Sequence, residues 1–593
     1  MSAVGRHLTI PDRAGGWWHE YVCPVHGVEL LPAHNDSFPC SYGCVLTGEP
    51  YTGAWAVLAH QAAARSLRRL AVRARAGDRE AADLAIDGLN RYADLYARLG
   101  ATTHPDAQGW MLSGRLFQQA LTEAIWGTSL AHAVHTLAGT VDRERLLPAA
   151  ELLRDIRESA RSARQLLVER GDFRHNYTAW LNAAGASVSH ALALLGEADE
   201  AADWVAGPYG IGEHAAAAIN GDGWEWEGST YYHVFVLRAY LLAIRDCPHE
   251  TLPPGLSHRL HDMIEVVAVL ATKNGQLPAL QDTPYGGARW DDEIAELCLL
   301  AAQLPHSPSL VFLRPKSGES WREAEAAGWL GGDDLGDLTK TGRSSRLFPD
   351  AGYAVLSGTG YRAILDFGPH GGSHGHLGKL ALYLYGPTAG WQPAYGVPPY
   401  AHSLRRDYYR RTAAHPTLTV DGADQREATG QLLYWRPGPS TVVGASAEVY
   451  PGVRFERHVR ADPEHLVDVV RVAADRDRDF VLHLRSDVDT QVRHTAIGYQ
   501  TWWPGDGGLT GHHASIPAAA LGTGPDLGPA DDPQRTRPHL RWRVFGRQAV
   551  FVSAYSRTAT GLRVEQTDGR LIVHIGHSDG GTVRWPVADR EWD

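Results

Sequence analysis

The sequence is poor in the features that mark secreted and membrane-bound proteins. It has only five cysteines in 593 residues, an odd number unlike the disulfide framework of a secreted domain. No run approaches the length of about 18 uncharged apolar residues that a membrane span needs. The opening MSAVGRHLTIPDRAGG lacks the apolar core of a secretory signal peptide, so we expect a cytoplasmic protein without a membrane partner.

The sequence also lacks an excess of positive charge. Its net charge is −12, which argues against a nucleic-acid partner because such a partner needs a basic face. A polyanionic substrate would therefore need positive charge gathered in one groove.

Phe (11) and Met (3) are scarce, whereas Trp (19) and Tyr (23) are plentiful. These two aromatic residue types stack on sugar rings or fill a core, and composition does not separate the two uses.

Several well-known catalytic motifs are missing as well. We find no phosphate-binding loop, no H-E-x-x-H and no dinucleotide-binding glycine motif. G-x-S-x-G occurs at residues 371–375 and 576–580, but a nucleophile elbow needs a helix after the serine, and a strand-like run follows each match. No histidine follows His577. We therefore interpret both matches as hairpin turns rather than as serine hydrolase motifs.

The spacing of apolar residues changes along the chain, which is too long for one core and is predicted to form several domains. Residues 55–335 show helical spacing in successive segments, which predicts helical hairpins in a layered or toroidal array. Residues 345–593 contain short alternating runs separated by Gly, Asp and Pro, which predict an antiparallel β-sandwich. Residues 306–345 are a predicted linker, residues 521–538 a predicted loop, and residues 1–54 an N-terminal extension.

The N-terminal extension contains a cluster of metal-binding residue types. In YVCPVHG and PCSYGC, Cys23, His26, Cys40 and Cys44 form two close pairs separated by a short loop, an arrangement similar to a zinc ribbon. Four protein ligands leave no open position on the ion, so zinc bound here would be structural. The alternative is a set of buried thiols without a metal.

Three further segments place polar side chains where a cleft is expected. Residues 369–376 read PHGGSHGH, which is either a solvated tight turn or a bend that aims histidines into a cleft. Asn176 lies at a predicted helix start, where it is either an N-cap or a functional amide. Tyr232 begins a helix after an acidic, glycine-rich loop, and it belongs either to the core or to the cleft.

These segments, in this order, resemble the heparinase II/III-like polysaccharide lyases, including the oligoalginate lyases. The resemblance rests on the YVCPVHG…C…YTGAW opening, the Asn-containing helix start at 176, DGWEWEGSTYYH, GPHGGSHGHLGKL and YYRRTAAHPTLTVDG, which together span nearly the whole chain. It implies an (α/α) toroid of helical hairpins followed by an antiparallel β-sandwich, in agreement with the periodicity. It also implies β-elimination at a uronic acid, which leaves an unsaturated uronate at the new non-reducing end.

The resemblance further implies roles for individual residues. Asn176 would bind the uronate carboxylate, and Tyr232 would protonate the leaving oxygen, with or without also acting as the base. His374 would neutralise the carboxylate or act as the base. No cofactor is needed for this chemistry, because amide, imidazole and phenol groups supply charge neutralisation and both proton transfers. Further substrate-binding residues would be Arg174, His175, Tyr177, Glu227, Tyr400, Arg405 and Arg410.

The sequence departs from the family pattern in several places. Tyr177 stands where many members have a histidine, which removes one candidate base. The family's metal site in the sandwich corresponds to His376 and His415, but Gln392 occupies the region of its aspartate, and Gly378 replaces an aspartate that usually follows H-x-H. The histidine pair is either a weak zinc site or two structural histidines bridged by hydrogen bonds.

We therefore predict a carbon–oxygen lyase that cleaves an acidic poly- or oligosaccharide, in an exolytic mode suited to short imported chains. The alternatives are a catalytically lapsed carbohydrate-binding relative and a glycoside hydrolase. The sequence leaves open which uronate polymer is cleaved and whether the protein is a monomer or a homodimer.

Overall fold

The structure is a computed structural model, and part of the chain falls outside the residues that it describes. Most of the predicted linker at 306–345 lies outside them, as do the serine and aspartate of the second G-x-S-x-G match. The described residues are 8–32, 36–99, 109–272, 274–307, 310, 313, 344–567, 570–577 and 580–587.

The first half of the described chain is helical, as the apolar spacing predicts. The helices are α1 (Tyr51–Arg75), α2 (Arg79–Leu99), α3 (Ala120–Leu137), α4 (Leu147–Glu169), α5 (Asn176–Leu194), α6 (Ala201–Val205), α7 (Ile211–Ala218), α8 (Thr230–Ile244), α9 (Leu256–Leu270) and α10 (Ala288–Ala302). Helices α1, α3, α5, α8 and α10 form an inner row, and the other helices pack outside it. None of the described helices combines the length and the apolarity that crossing a membrane would require.

Buried ion pairs connect the first and last helices of the inner row. Glu296 of α10 accepts hydrogen bonds from Arg68 of α1 and from Arg238 of α8, each at 2.5 Å. Burial alone would raise the pKa of Glu296, but the two guanidinium groups lower it to about 2. The helices therefore form a ring. The loop before α8 meets the strand-rich half of the chain, where Tyr353 donates a hydrogen bond to the Gly228 carbonyl.

The N-terminal extension folds as a small unit on the start of α1. A 3-10 turn at Trp18–Glu20 precedes a hairpin of two strands, β1 (Ser37–Pro39) and β2 (Val45–Thr47). Most of its buried residues form one small cluster that includes Cys23, Phe38 and Cys40.

The second half consists of antiparallel strands in three sheets. The four-stranded sheet contains β3 (Arg346–Phe348), β4 (Tyr353–Ser357), β5 (Arg362–Asp366) and β6 (Leu382–Tyr385). The ten-stranded sheet contains β7 (Leu418–Val420), β8 (Gln431–Arg436), β9 (Thr441–Ala447), β10 (Val453–Ala461), β11 (His465–Arg485), β12 (Gln491–Thr495), β13 (Gly498–Trp503), β14 (Leu509–Ile516), β15 (Ala520–Asp526) and β16 (Arg537–Ser556). The three-stranded sheet contains β17 (Ala559–Thr567), β18 (Arg570–His577) and β19 (Thr582–Val587).

Alternation of side chains along the strands explains how the sheets are layered. In β4, Ala354 and Leu356 pack against the ten-stranded sheet, whereas Tyr353 and Val355 pack against the helices around Trp224. The other face of the ten-stranded sheet packs on the three-stranded sheet. The layers are therefore helices, four strands, ten strands and three strands, which confirms the predicted fold class of a helical toroid followed by an antiparallel β-sandwich.

Two predictions for the strands need correction. Residues 521–538 are not a loop throughout, because β15 occupies their beginning and pairs with β16. Gly and Pro misled the prediction there, and both are tolerated in an edge strand. The short alternating runs predicted for this half are also joined in one place, because residues 466–474 and 479–485 both belong to the long strand β11, which has a bulge between Ala473 and Arg478.

Candidate active site

A cavity of about 870 Å³ lies where the ends of the inner helices meet the strand-rich half. Its walls come from the N-terminal extension, from helices α1, α3, α5, α8 and α10, and from loops of the second half. It is large enough for a ligand of a few sugar units, since ligand cavities in proteins span about 300–1,000 Å³. Of the site residues predicted from sequence, those that line it are His175, Asn176, Tyr177, Tyr232, His374, Tyr400, Arg405 and Arg410.

Asn176 is the first residue of α5, and its side chain lines the cavity. The N-cap is His175, whose Nδ1 accepts the backbone N–H of Tyr177 at 3.2 Å, so the interpretation of Asn176 as N-cap is wrong. The Asn176 amide donates to Glu227 Oε2 at 3.2 Å, while its Oδ1 is buried with no hydrogen-bond partner in the described residues. Because an amide nitrogen carries two hydrogens, one donor remains for a ligand.

Tyr232 lies in the first turn of α8, where Ser229 caps the helix by accepting the Tyr232 backbone N–H. The Tyr232 hydroxyl lies 2.9 Å from the hydroxyl of Tyr400. Burial, followed by the neighbouring Tyr400 and Glu227, raises the pKa of Tyr232 well above its ordinary value. The free protein therefore presents Tyr232 as a neutral phenol, which is the form that donates a proton.

His374 lies in the octet 369–376, which connects β5 and β6 and contains a 3-10 turn at Gly372–His374. Its imidazole stacks on the Tyr232 ring with 3.8 Å between centroids. Its Nδ1 lies 3.3 Å from the Tyr400 hydroxyl, and its Nε2 lies 3.6 Å from Glu227 Oε1. Asn176, Tyr232 and His374 thus meet in one place, although they come from both halves of the chain.

The other two histidines of the octet do not line the cavity. His370 Nε2 lies 3.4 Å from Glu427, on the outer side of the loop. His376 is buried beside His374, and its Nε2 lies 3.0 Å from Asp282 Oδ1. The octet is therefore neither a solvated turn nor a cluster aimed as a whole at the cleft, since it delivers one histidine of the three.

Asp282 is the central acidic residue that the sequence analysis missed. Its fully buried carboxylate accepts hydrogen bonds from His374 Nδ1 at 2.9 Å, from His376 Nε2 and from the Arg405 guanidinium. Burial would raise the pKa of Asp282, but these three donors hold it well below its usual range. The preceding residue, Gln281, has a left-handed φ of 55° and accepts the His376 backbone N–H at 2.7 Å. Such a backbone conformation marks a functionally constrained position.

The Tyr400 ring packs between the side chains of Arg405 and His19. The Arg405 guanidinium lies 4.0 Å from the centre of the Tyr400 ring, and the His19 ring stacks on Tyr400 at 4.1 Å and an interplanar angle of 7°. His19 also accepts the Tyr400 backbone N–H at 3.2 Å, and burial lowers the pKa of His19 well below its ordinary value. Arg410 donates two hydrogen bonds to the Gly375 carbonyl.

Two predicted substrate-binding residues do not line the cavity. The Arg174 guanidinium lies over the Trp226 ring at 3.9 Å, on the exterior. Glu227 is buried behind Asn176 and His374 and contacts both of them. Burial raises the pKa of Glu227, and burial followed by the negative charge of Glu227 raises the pKa of the nearby Glu225 well above its ordinary value. Glu227 therefore positions the two side chains in front of it.

The cavity gathers positive charge despite the negative charge of the whole chain. Its described lining also includes tryptophans of the N-terminal extension, and Arg289 lies 3.7 Å from the ring centre of Trp18. This composition suits an anionic sugar, because guanidinium groups bind carboxylates and sulfates and indole rings stack on sugars. The lining includes the five arginines Arg65, Arg238, Arg289, Arg405 and Arg410 and the three acidic residues Glu29, Asp292 and Glu293.

The histidine pair considered for metal binding is buried in the sandwich. The ring centres of His376 and His415 are 5.2 Å apart. His376 Nδ1, His415 Nε2 and Gln392 Oε1 are all buried without a hydrogen-bond partner in the described part of the chain. Burial lowers the pKa of both histidines, which keeps them in the neutral form that binds metals. A Cβ at Gly378 would lie 2.8 Å from His415 Cγ, so aspartate does not fit there without moving the ring.

Comparisons with known proteins agree with this architecture. Residues 340–540 match the family model described as Heparinase II/III-like, C-terminal. No curated protein matches the chain in sequence. Among solved structures, a heparinase III with methylated lysines has a TM-score of 0.65 at 13% identity, covering 90% of this chain and 84% of that one. A mutant heparan sulfate lyase from Pedobacter heparinus has a TM-score of 0.61 at 15% identity, covering 93% and 87%.

A second heparinase III structure has a TM-score of 0.60 at 15% identity and covers 90% of this chain and 82% of its own. At these identities the likeness establishes the fold, which is the toroid-and-sandwich architecture that the helices and sheets display. Residues 340–540 are therefore similar to the Heparinase II/III-like C-terminal domain, and the fold of the described chain is similar to that of heparinase III and heparan sulfate lyase.

Proposed function

We propose that the protein is a lyase that cleaves a uronic-acid-containing oligosaccharide by β-elimination. A base removes the proton at C5 of the uronate, a double bond forms between C4 and C5, and the oxygen on C4 leaves with a proton. The C5 proton is only weakly acidic while the neighbouring carboxylate is ionised. The site must therefore supply donors to that carboxylate, a base and an acid.

The observation that carries the proposal is that Asn176, Tyr232 and His374 line one cavity together. Tyr232 and His374 stack on each other, and Asn176 and His374 both contact Glu227. An amide, a phenol and an imidazole within reach of one sugar ring are the set of groups that the elimination needs. Reacting groups held in position in this way remove much of the entropic cost of the reaction.

We assign the neutralisation of the carboxylate to Asn176 and His374. Asn176 keeps one amide hydrogen for a carboxylate oxygen after its bond to Glu227. His374 lies between two acidic residues, with Asp282 at Nδ1 and Glu227 at Nε2. Because both ring nitrogens face carboxylates, we assign this imidazole to binding the substrate carboxylate rather than to removing the C5 proton.

This arrangement leaves the proton transfers to Tyr232. Its phenol is neutral in the free protein, as the acid for the leaving oxygen must be. Tyr400 is within 2.9 Å of it and lies beneath the Arg405 guanidinium, so a negative charge that forms on the phenol pair has a cation close by. We therefore assign both proton transfers to Tyr232: its hydroxyl proton passes to solvent when the substrate binds, the phenolate takes the C5 proton, and the phenol formed in this way gives that proton to the leaving oxygen.

The cavity also supports an anionic, short substrate. Its arginines offer bidentate partners to carboxylate or sulfate groups. Trp17 and Trp18 form part of the wall, so the N-terminal extension limits the cavity on one side and favours binding of a chain end. Heparinase III and heparan sulfate lyase, which share the fold, carry names that point to uronate-containing chains. An exolytic mode on such chains is our proposal for this protein.

Elimination and hydrolysis give products that are easily told apart. The purified protein is incubated with oligosaccharides and polymers of heparan, chondroitin, hyaluronan and alginate type, and the absorbance of conjugated C4–C5 double bonds is followed in the ultraviolet. We expect ultraviolet absorbance to rise with at least one of these four substrate types. An exolytic mode predicts that the smallest product accumulates from the start of the reaction. New reducing ends without absorbance would indicate a hydrolase, and binding without either product would indicate a lapsed relative.

His376, His415 and Gln392 would hold an ion in the sandwich, through two imidazole nitrogens and one amide oxygen. We assign such an ion a structural role, because none of the three residues lines the cavity. It would link the loop that carries His374 to the start of β7. The chemistry proposed above does not pass through this site.

A further inference from the structure

The four metal-binding side chains of the N-terminal extension meet at one point. Their ligand atoms all lie within 4.8 Å of one another. His26 Nδ1 is at the centre of the group, 3.4 Å from Cys23 Sγ, 3.6 Å from Cys40 Sγ and 3.5 Å from Cys44 Sγ. A ring nitrogen offers one hydrogen or one lone pair, so it cannot form hydrogen bonds to three sulfur atoms at once.

A tetrahedral zinc ion accounts for these distances. With a zinc–sulfur distance of about 2.3 Å and a zinc–nitrogen distance of about 2.0–2.1 Å, a tetrahedron places each sulfur about 3.6 Å from the nitrogen. All three observed distances agree with this value to about 0.2 Å. We propose that Cys23, His26, Cys40 and Cys44 bind one Zn²⁺ ion, and that this ion fastens the N-terminal extension to the wall of the cavity.

The backbone around the cluster has the form of two matching turns. In the first turn, Gly27 donates to the Cys23 carbonyl at 2.9 Å, and in the second, Gly43 donates to the Cys40 carbonyl at 3.1 Å. The Tyr42 backbone N–H also points to Cys40 Sγ at 3.3 Å. An N–H group directed at sulfur stabilises a thiolate, which is the form that binds zinc.

The N-terminal extension needs a metal or another cross-link for stability, because its hydrophobic core is small. Most of its own buried residues form a single cluster with few large apolar side chains. Units of this size do not bury enough apolar area to hold their fold and are usually stabilised by disulfides or a metal. Cys23, Cys40 and Cys44 form no disulfide, so a bound metal is the remaining way to stabilise the extension.

The cluster lies against two loops of the second half, one of which, the loop that carries Tyr400, borders the cavity. His402 donates from Nε2 to the Pro24 carbonyl at 3.2 Å. Gln534 donates to the His26 carbonyl at 3.2 Å, and the Tyr42 hydroxyl lies 2.8 Å from Asp532 Oδ1. The residues around the ion therefore contact the loop that carries Tyr400 and the loop that follows β15.

The same extension supplies His19, which stacks on Tyr400 and accepts its backbone N–H. Tyr400 in turn contacts Tyr232 and His374. Loss of the ion should therefore loosen the Tyr400 side of the cavity. This gives the zinc a positioning role at the cavity in addition to a structural role in the extension.

Metal content tests the site directly. Zinc is measured by mass spectrometry in the purified full chain and in Cys40→Ser/Cys44→Ser, with Cys298→Ser as the matched control. Cys298 is a buried thiol in α10 that donates to the Leu310 carbonyl, a bond that serine keeps. We expect the double variant to lose about one zinc per chain and the control to lose none, whatever ion the sandwich histidines hold. Equal zinc in all three proteins would overturn the proposal.

A second measurement covers the case in which the double variant does not fold. Zinc in the unmodified protein is exchanged for Co²⁺, and the absorption spectrum is recorded before and after labelling of accessible thiols. We expect intense visible bands of tetrahedral cobalt together with thiolate-to-cobalt charge transfer. A spectrum without charge transfer, or a disulfide among Cys23, Cys40 and Cys44 found by peptide mass spectrometry, would refute the site.

Hydrogen–deuterium exchange tests the fastening. Removal of zinc from the full chain by a chelator should increase exchange in residues 17–32, 36–47 and 398–410, and added Zn²⁺ should restore protection. Residues 441–447 of β9 serve as the internal reference, where no change is expected. Unchanged exchange in 398–410 after the metal has gone would show that the ion does not hold the cavity wall. These readouts do not depend on the proposed lyase activity.

Discussion

Asp282→Asn keeps the shape of a central side chain but removes the charge on which three donors converge. His374, His376 and Arg405 all donate to this carboxylate. An asparagine directs its amide NH2 at one or more of these three donors. A buried hydrogen bond then becomes a contact between two donor groups. Because breaking one partner of a buried charged pair costs about 3–5 kcal/mol, we expect the free energy of unfolding to fall by this amount at neutral pH.

The same change should slow turnover more than it weakens binding. Asp282 holds the His374 ring through Nδ1, and it is not among the residues that line the large cavity. A displacement of about 1 Å in a reacting group costs about 10²-fold in rate. We expect kcat to fall by about this factor or more, with a much smaller change in KM.

The stability difference should depend on pH in a defined direction. The pKa of Asp282 in the folded protein is well below its ordinary value, so its ionised form stabilises the fold above the ordinary carboxyl range. That stabilisation is lost as the pH falls through the ordinary range towards the folded-state pKa. The gap between the unmodified protein and Asp282→Asn should therefore be largest near neutral pH and shrink in acid.

The matched control is Asp526→Asn. Asp526 also accepts from an arginine and a histidine, Arg485 and His539, at 2.8 and 2.9 Å, but it lies in the sandwich away from the cavity lining. The assay combines denaturant unfolding at several pH values with the ultraviolet absorbance of products. We expect both variants to lose stability and only Asp282→Asn to lose kcat. Unchanged kcat in folded Asp282→Asn would refute the assigned role.

Two further changes test the ring and the octet. Glu296→Gln should lower the free energy of unfolding by about 3–5 kcal/mol at neutral pH, because it leaves two buried arginines without their shared carboxylate. Since the pKa of Glu296 is lowered to about 2, denaturant unfolding should show this loss shrinking as the pH falls below the ordinary carboxyl range. Gly371→Ala should reduce kcat, because its Cβ would lie 2.2 Å from the Glu227 carbonyl and would displace the turn that carries His374. Gly507→Ala has a similar positive φ but open space around its Cβ, so equal losses of kcat would contradict this explanation.

The parts of the site that could be predicted are those set by local sequence signals. Ser229 caps α8 and places Tyr232 in its first turn, so the position of that tyrosine follows from a short stretch. The octet indicates a bend with histidines, and one of them, His374, does line the cavity. The change of apolar spacing near residue 345 likewise predicted the order of helices and strands.

The parts that could not be predicted depend on contacts between distant segments. Asp282 lies 92 residues before His374, and its own neighbourhood has no spacing that marks it. His19 lies 381 residues before Tyr400, so no local pattern joins them. The sequence predicts Arg174 and Glu227 at the substrate, but packing turns the first onto Trp226 and buries the second behind Asn176.

The most direct test of the account is the turnover of Tyr232→Phe. The change removes one hydroxyl and its hydrogen bond to Tyr400, which costs about 1 kcal/mol of stability and leaves the fold intact. Tyr434→Phe, which removes a hydroxyl bonded to His458 in the sandwich, is the control. If the Tyr232 phenol transfers the proton, product absorbance should fall by about 10²–10⁴-fold in Tyr232→Phe alone. Turnover equal to that of the unmodified protein on a uronate substrate would contradict the account.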